Sequence, residues 1–327
     1  MRPDVPQRRV AIASGPGRPQ EVVSTRTEAL SSIGHDQALV KVHAAALNRV
    51  ESMMLASGQH PEGAKFPVLL GSEGAGTVIA AGSECKSSVG DRVCWGRVPG
   101  SCADYVIAPG HALVPIPDEL DTESAARLPS ASIMAELLSR IWPVAGGPVV
   151  IWGAGSPVGR GLVGVLAERG VEVIAVTSGD HISGVLSAGA THAVDRNDGS
   201  VSEAIHALTD GRGVLGVFDP IGVPTYRQSL AMLCERGCLI SFGQVSGEVP
   251  VVDLRELMDK GLFVTKFGRS HLGDPRELPR LVSEGLSRAV RRPSVIGEVG
   301  ARFSLDSVPD AYDALSQGTS GKVLVVP

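Results

Sequence analysis

A glycine-rich segment near the middle of the 327-residue chain follows a short apolar run. Residues 148–152 are Pro-Val-Val-Ile-Trp and residues 153–159 are Gly-Ala-Gly-Ser-Pro-Val-Gly, before an apolar stretch that predicts a helix from about Val158 to Arg169. A turn without Cβ atoms, between a strand and a helix N-terminus, lets phosphate oxygens approach backbone N–H groups. The segment therefore predicts a site for a dinucleotide pyrophosphate, contacted by Gly155, Ser156, Pro157 and Val158.

The spacing of these glycines departs from the usual pattern. A dinucleotide turn is ordinarily G-x-G-x-x-G, whereas Gly153, Gly155 and Gly159 give G-x-G-x-x-x-G. Pro157 offers no N–H, although proline is favoured at a first helical position. Because a chain with 40 glycines also produces such clusters in ordinary loops, a plain loop is the alternative interpretation.

The segments on either side of this turn alternate between strand-like and helix-like patterns. Strands are predicted at residues 171–176, 193–194, 214–218 and 238–242, and helices at residues 185–188, 201–208 and 226–233. Short valine-rich strands separated by helices indicate βαβ units in a parallel, doubly wound sheet. Residues 121–268 are therefore predicted to form a Rossmann-type domain.

The flanking segments have a different pattern, with short β-like runs divided by Gly, Pro and Asp turns. The runs lie at residues 9–13, 38–46, 76–80, 91–95 and 102–107. They indicate a β-rich, barrel-like domain. The tail has two more strand-like runs around a helix at residues 308–316, and these runs need partners. We expect one domain to comprise residues 1–120 and 269–327, with residues 121–268 inserted between its parts.

Composition narrows the class of protein. Hydrophobic residues make up 43% of the chain and charged residues 20%, which indicates well-buried cores. A net charge of −5 and an aromatic content of 4% argue against a nucleic-acid partner. The sequence has neither an apolar stretch of membrane-spanning length nor the apolar segment of a signal peptide. We expect no membrane partner and a cytoplasmic location.

Seven short motifs occur in a characteristic order along nearly the full chain. They lie at residues 46–51, 70–76, 89–93, 100–106, 217–222, 236–243 and 321–323. In this order the chain resembles the medium-chain dehydrogenase/reductase superfamily, in its zinc-free quinone oxidoreductase and enoyl reductase branch. The resemblance implies an α/β fold class, with a GroES-like β-barrel catalytic domain and a Rossmann-type, doubly wound parallel-sheet cofactor domain.

The resemblance also implies that no zinc is bound. In zinc-using relatives a histidine precedes the glutamate of the segment that follows Leu70, and a cysteine lies near the position of Asn48. This chain has Ser72 and Asn48 at those places. Its cysteines lack C-x-x-C spacing and are odd in number, which fits reduced thiols better than a disulfide framework or a structural zinc site. They are Cys85, Cys94, Cys102, Cys234 and Cys238.

The end of the second Rossmann strand selects the cofactor. An NAD-binding fold usually has a carboxylate there, whereas this chain has Thr177 and Ser178, whose hydroxyls favour NADPH. Asp180 is a contrary signal, or else a cap of the following helix. The resemblance implies that His181 stands at the place of a lysine that contacts the 2′-phosphate in relatives. It also implies that Arg196 stands at the place of a tyrosine or histidine that covers the same end of the cofactor. A solvated loop charge is the alternative for Arg196.

The nicotinamide end is implied by resemblance alone. Phe242, Gly243 and Phe267 would lie along it, although both phenylalanines could equally be core residues. Gly243 is the stronger candidate because a glycine just past a strand permits close approach to a ligand. Lys322 is also implied at the cofactor, with a solvated surface lysine as the alternative.

The resemblance implies hydride transfer from NADPH to an α,β-unsaturated carbonyl compound, either an enone or an enoyl thioester, or to a quinone. Asn48 is the first candidate for a positioning group, since its amide can donate to a carbonyl; the alternative is a turn residue that bonds its own backbone. Ser132 is the candidate for a threonine hydroxyl of relatives. Met53 occupies a stretch where relatives have a tyrosine, and His60 and Arg269 complete the predicted substrate residues.

Two other functions remain open on the same scaffold. The altered turn and missing tyrosine also fit a non-redox cyclisation or elimination, and a non-catalytic NADPH-binding protein is a third possibility. Relatives commonly dimerise through the edge strand of the cofactor sheet. We therefore expect a homodimer through the strand from Leu262 to Phe267.

Overall fold

A sheet of parallel strands forms the centre of one of the two units of this protein. The computed structural model describes residues 7–59, 63–144, 146–243, 245–247 and 252–327, without the side chains of residues 269 and 270. The first unit comprises Met1–Ser130, Arg276–Val290 and Glu298–Pro327, and the second comprises Ala131–Pro275 and Arg291–Gly297. The domain bounds expected from the sequence stay a prediction.

The first unit contains a mixed sheet and a smaller antiparallel sheet. Its strands are β1 (Gln7–Ala13), β2 (Val23–Ala29), β3 (Gln37–Ala46), β4 (Val68–Leu69), β5 (Glu73–Ala81), β6 (Arg92–Gly96), β7 (Tyr105–Pro109), β8 (Val114–Pro115), β15 (Val299–Ser304) and β16 (Lys322–Val326). Its α-helices are α1 (Pro19–Val22), α2 (Arg49–Ser57), α3 (Thr122–Ala126), α10 (Leu278–Arg291) and α11 (Val308–Ser316). The mixed sheet has the order β15-β16-β3-β5-β6-β8, and β7 also pairs with β3. The tail strands thus join the amino-terminal strands.

The second unit contains the sheet of parallel strands. Its strands are β9 (Val149–Trp152), β10 (Val173–Thr177), β11 (His192–Asp195), β12 (Val214–Asp219), β13 (Leu233–Ser241) and β14 (Phe263–Lys266). Its α-helices are α5 (Pro157–Glu168), α6 (Ile182–Ser187), α7 (Val201–Leu208), α8 (Tyr226–Met232) and α9 (Arg255–Met258), and α4 (Pro129–Leu138) begins at the end of the first unit. Each adjacent pair of strands is parallel, in the order β11-β10-β9-β12-β13-β14.

This strand order fixes where a ligand site can form. The chain crosses from β9 to β10 on one side and later to β12 on the other, so the strand order reverses between β9 and β12. Ligands of open parallel sheets bind at such a point, outside the carboxyl ends of the strands. The residues that follow β9, β10, β12 and β13 therefore lie at the functional edge of this sheet.

The burial of the central strands agrees with the parallel sheet that was predicted from the valine-rich runs between helices. All four residues of β9 and all five of β10 are buried, as expected for central strands covered on both faces. No helix in the described part of the chain combines the length and the apolar character that a membrane crossing requires.

Candidate functional site

The glycine-rich segment forms a tight strand-to-helix turn, which we call the glycine turn (residues 153–157). Gly153 has a φ of 62°, and the N–H of Ser156 donates to the Gly153 carbonyl at 2.9 Å. Ser156 caps α5: its Oγ accepts from the N–H of Gly159 at 3.1 Å, and Pro157 takes the first helical position. The helix predicted from about Val158 to Arg169 is thereby confirmed, shifted by one residue.

The unusual glycine spacing has a steric explanation. A Cβ on Gly155 would lie 2.6 Å from Thr177 Oγ1 and 2.9 Å from His181 Cβ. A Cβ on Gly159 would lie 2.5 Å from the Gly153 carbonyl oxygen. Gly155 thus lets the turn approach the end of β10, and Gly159 lets α5 approach the turn. The third glycine keeps its packing role although it comes one residue later than usual.

The cofactor-selecting residues predicted from the sequence lie at the ends of β10 and β11. Thr177 is buried, Ser178 and His181 are half-buried, and Arg196 is exposed. The Arg196 N–H donates to the Thr177 carbonyl at 2.8 Å, so the two strand ends are joined. Asp180 lies in a 3₁₀ turn, Gly179–His181. The interpretation of Asp180 as a helix cap is therefore wrong, because His181 holds the N-cap position of α6.

The carboxylate of Asp195, at the end of β11, also lies at this edge. A Cβ on Gly179 would be 2.7 Å from Asp195 Oδ2, so the last residue of β11 packs against the loop that follows β10. Asp195 Oδ1 also accepts from the N–H of Asn197 at 2.9 Å. The Asp195 carboxylate therefore lies between its own loop and the loop that follows Thr177 and Ser178.

The residues predicted for the nicotinamide end follow β13 and β14. The Phe242 N–H donates to the Asp219 carbonyl at 2.9 Å, and the Phe267 N–H donates to the Ser241 carbonyl at 2.7 Å. A Cβ on Gly243 would lie 3.0 Å from Pro220 Cα, so only glycine fits there. The ring of Phe267 stacks on His271, with the ring centroids 5.3 Å apart.

The set of groups along this edge fits a phosphorylated dinucleotide. Next to a glycine-lined helix start it offers the hydroxyls of Thr177 and Ser178 and the cation of Arg196. The hydroxyl of Ser241 at the end of β13 is buried and has no hydrogen-bond partner among the described residues. An unsatisfied buried hydroxyl at the carboxyl edge of such a sheet is what a polar ligand would satisfy.

A second polar cluster forms in the first unit, and its assembly follows from sheet register. Strand β3 lies between β16 and β5, and its last residue, Ala46, pairs with Leu324 on one side and Glu73 on the other. Asn48 comes two residues after the end of β3. The same register carries Lys322, at the start of β16, to the position beside Asn48. Asn48, Glu73 and Lys322, with Glu51, Ser130 and Tyr312, form what we call the Asn48 cluster.

Asn48 is held by two oppositely charged partners. Its Oδ1 accepts from Lys322 Nζ at 2.8 Å, and its Nδ2 donates to Glu73 Oε1 at 2.9 Å. Lys322 Nζ also lies 2.6 Å from Glu73 Oε1. The other oxygen of Glu73 accepts from the Ser130 N–H at 2.7 Å. The alternative of a solvated lysine is wrong, because Lys322 is buried and engaged in this network. Asn48 is also the N-cap of α2, in a capping box with Glu51, so a local turn role and its place in the network coexist.

Glu51 adds a second buried carboxyl group to the cluster. It accepts from the Asn48 N–H at 3.2 Å and from the Tyr312 hydroxyl at 3.3 Å. Burial raises the pKa of Glu51 to about 7, and the charge of Glu73 adds to this, while hydrogen bonds from Asn48 and Ser72 and the charge of Lys322 act against it. Burial likewise raises the pKa of Tyr312. Glu51 is thus poised to take or give a proton near neutral pH.

The cluster therefore combines a fixed amide, a cation and a carboxyl group that titrates near neutrality. An ammonium has three hydrogens, and Asn48 and Glu73 take two of those of Lys322. The third can donate to a ligand oxygen. Fixed donors of this kind stabilise charge that develops on a carbonyl oxygen.

The other predicted catalytic and substrate residues belong to neither the glycine turn nor the Asn48 cluster. Ser132 is 4% exposed within α4, and Met53 is 37% exposed on α2. His60 lies outside the described residues; Arg269 begins a short 3₁₀ helix, Arg269–Leu272, and its side chain is outside the description. Over the described ranges, no three His, Cys, Asp or Glu side chains are grouped so as to hold a metal ion. The expectation that the chain uses no zinc stays a prediction.

Two features of the site were missed from the sequence. The first is the pairing of Glu73 with Lys322. One sequence feature indicates it: Glu73 is a lone acid at the start of the small, apolar run Glu-Gly-Ala-Gly, and a buried acid requires a partner. At the end of β12, Trp152 Nε1 donates to Ser229 Oγ at 3.0 Å, and this hydroxyl donates to Asp219 Oδ2 at 3.0 Å. This second network anchors β12 to β9 at the functional edge, and no local pattern indicates it.

Two family models match the chain. The model described as "Alcohol dehydrogenase GroES-like domain" matches residues 34–118, within the first unit. The model described as "Zinc-binding dehydrogenase" matches residues 157–285, most of them in the second unit. Together with the mixed sheet of the first unit and the parallel sheet of the second, these matches confirm the predicted α/β fold class, a GroES-like domain with a Rossmann-type domain.

Several relatives and solved structures match nearly the whole chain. A quinone oxidoreductase from Pseudomonas aeruginosa is 30% identical over 318 residues, 94% of this chain and 96% of the relative. A mycobacterial protein solved in complex with NADPH is 29% identical, with a TM-score of 0.83 over 98% of this chain and 100% of that one. A quinone oxidoreductase structure from Pseudomonas syringae is 25% identical, with a TM-score of 0.82 and the same coverage.

Proposed function

We propose that this chain, which belongs to the medium-chain dehydrogenase/reductase superfamily in its quinone oxidoreductase branch, is an oxidoreductase that uses NADPH to reduce an electron-poor acceptor. The acceptor class is a quinone, or the carbon–carbon double bond of an enone or enoyl thioester. Quinone is the first choice, since the relative from Pseudomonas aeruginosa is a quinone oxidoreductase.

The observation that carries this proposal is the strand–turn–helix unit of β9 and α5. It lies where the strand order of the parallel sheet reverses, and it presents a glycine turn and a capped helix start. Gly155, Ser156, Pro157 and Val158 would hold the pyrophosphate there. The mycobacterial neighbour that was solved with NADPH supports the same choice of cofactor.

The two ends of the cofactor would be held by different strand ends. Thr177, Ser178, His181 and Arg196 would bind the 2′-phosphate, with the guanidinium of Arg196 as its bidentate partner. Phe242, Gly243 and Phe267 would line the nicotinamide end. NADPH supplies the hydride when it is bound; the work of the chain is to bind, to orient and to exclude water.

The Asn48 cluster is proposed to position the acceptor. Asn48 bonds Lys322 and Glu73 and also donates to Ser130 Oγ at 3.4 Å, so its part is to hold the Lys322 ammonium in place before a ligand binds. The free hydrogen of Lys322 would face the oxygen on which negative charge develops. Lys322 is therefore proposed here at the acceptor, rather than at the cofactor as the resemblance implied. Ser132 remains a proposed catalytic hydroxyl.

The test is calorimetric titration of the purified protein with NADPH and then with NADH. The proposal expects tighter binding of NADPH, and a selective loss of that preference in Arg196→Ala and His181→Ala. Arg212→Ala is the matched control, because Arg212 is an exposed arginine of the same unit that pairs with Asp210. A protein that binds neither nucleotide would contradict the proposal.

We also propose a homodimer through β14. This strand is at the end of the six-stranded sheet, and Phe263 at its start is 48% exposed. An exposed apolar edge strand is a pairing surface, and two-fold pairing would cover it. The cytoplasmic location likewise stays a prediction.

A further inference from the structure

Arg160 is a buried arginine that contacts the backbone of the glycine turn. It is the fourth residue of α5 and only 4% of it is exposed. Its Nε donates to the Gly155 carbonyl at 3.3 Å, and its Nη1 donates to the Ser294 carbonyl at 3.3 Å. A buried cation is costly unless its hydrogens are satisfied. The guanidinium therefore needs the turn and the Ser294 segment in these positions.

The surroundings of Arg160 make room for a guanidinium. A Cβ on Gly184, in α6, would lie 2.7 Å from Arg160 Cζ, so a larger residue there would require the guanidinium to shift. A Cβ on Gly297 would lie 3.7 Å from Arg160 Cδ, in ordinary contact. The turn, α6 and the segment Arg291–Gly297 thus enclose one side chain. The site is built around this arginine.

From this geometry we infer that Arg160 is a positioning residue for the dinucleotide pyrophosphate; the inference rests on the proposed function. Pro157 removes one N–H from the start of α5, and the Gly159 N–H is taken up by Ser156 Oγ. The helix start has therefore lost donors that phosphate would use. Arg160 compensates in two ways: it fixes the Gly155–Ser156 peptide through the carbonyl, and it places a positive charge one peptide unit behind the turn.

If Arg160 positions the pyrophosphate, two ligands that differ in this group should respond differently to its substitution. Adenosine 2′-monophosphate carries the 2′-phosphate but no pyrophosphate, so its binding should not depend on Arg160. NADPH carries both groups. The ratio of the two dissociation constants therefore reports on the turn, whereas general damage to the fold weakens both ligands alike.

The experiment titrates both nucleotides into the wild type and into Arg160→Lys, Arg160→Gln and Arg160→Met by calorimetry. We expect Arg160→Met to weaken NADPH binding about tenfold, because the charge-assisted hydrogen bond that fixes the Gly155–Ser156 peptide is lost, with adenosine 2′-monophosphate binding unchanged. Arg160→Lys keeps the charge and should recover part of the loss; Arg160→Gln keeps a donor alone and should recover less. These two variants carry the test if Arg160→Met does not fold.

Arg169→Met is the matched control, at the other end of α5. Arg169 contacts Ser139 and Glu136, so its loss disturbs the same helix without touching the turn. It should leave the ratio of the two dissociation constants at the wild-type value. Equal ratios in the wild type and all Arg160 variants would overturn the inference while leaving the proposed function intact. A wild type that binds no NADPH would instead overturn the proposed function, and the inference with it.

Discussion

The Nζ of Lys322 and Oε1 of Glu73 lie 2.6 Å apart, and their side chains are 7% and 0% exposed. The two residues begin strands β16 and β5, which flank the end of β3. This ion pair links the carboxyl-terminal tail to the amino-terminal sheet and fixes Asn48 between its charges. It is the structural centre of the Asn48 cluster.

Breaking this pair from one side should destabilise the fold. We expect Lys322→Met to lower the free energy of unfolding by about 3–5 kcal/mol, because Glu73 is left as an uncompensated buried charge. The double variant Glu73→Gln with Lys322→Met should recover most of this loss, since no buried charge remains. Urea unfolding at neutral pH measures both changes.

The matched control for this cycle is Arg255→Met. Arg255 pairs with Asp253 on the surface at 2.6 Å, and exposed pairs contribute little. Its stability should be that of the wild type. A Lys322→Met variant as stable as the wild type, or a double variant no better than the single one, would show that the pair is not buried as described.

The pKa of Glu51 predicts a pH dependence of stability. Burial raises the pKa of its carboxyl from an ordinary 4.5 to about 7 in the fold, so the folded state binds the proton more tightly. The corresponding stability is fully present below pH 4.5 and is lost as pH rises through about 7. Its full size is about 3 kcal/mol. Unfolding free energies should therefore fall over this window.

Glu51→Gln isolates this effect. The variant cannot ionise, so the difference between its stability and that of the wild type should grow in its favour as pH rises through about 7. The difference is the proper readout because burial lowers the pKa of His43, which changes stability in the opposite direction. A difference that does not vary with pH would contradict the assignment.

Local patterns were sufficient for the sequence to predict the second unit. β9, the glycine turn and α5 follow one another within 20 residues (149–168), and each is specified by its own apolar, glycine or capping residues. Local patterns could not predict the Asn48 cluster. Lys322 and Glu73 meet only because β3, β5 and β16 pair in one register. Arg160 was missed for a related reason, since its partner Ser294 lies 134 residues further along the chain.

Adding one methyl group to the glycine turn should impair nucleotide binding. In Gly155→Ala the new Cβ would meet Thr177 Oγ1 at 2.6 Å and His181 at 2.9 Å. Overpacking of this kind costs about 1–3 kcal/mol, and here it displaces residues proposed to bind the 2′-phosphate. We expect weaker NADPH binding by calorimetry and a lower melting temperature. Gly15→Ala, where nothing lies within 4 Å of the new Cβ, is the control and should change neither.

Substitution in β14 should separate the proposed dimer. Phe263→Lys places a charge at the exposed start of the edge strand, which should oppose pairing of two copies. Phe263 is 48% exposed, and its ring also contacts Trp142 with the ring centroids 4.7 Å apart, so the melting temperature of the variant is measured beside its oligomeric state. Light scattering should report a dimer for the wild type and a monomer for the variant. Leu254→Lys, at a residue that is 77% exposed, should remain dimeric; a Phe263→Lys protein that stays dimeric would place the interface elsewhere.

Consumption of NADPH in the presence of an acceptor tests the proposed reduction most directly. The loss of the nicotinamide absorption band would be followed with a panel of quinones and enones, with and without the protein. We expect a loss that needs protein, NADPH and acceptor together and that saturates with acceptor concentration. A protein that binds NADPH yet consumes none with any acceptor would contradict the proposed reduction and would favour the binding-only alternative.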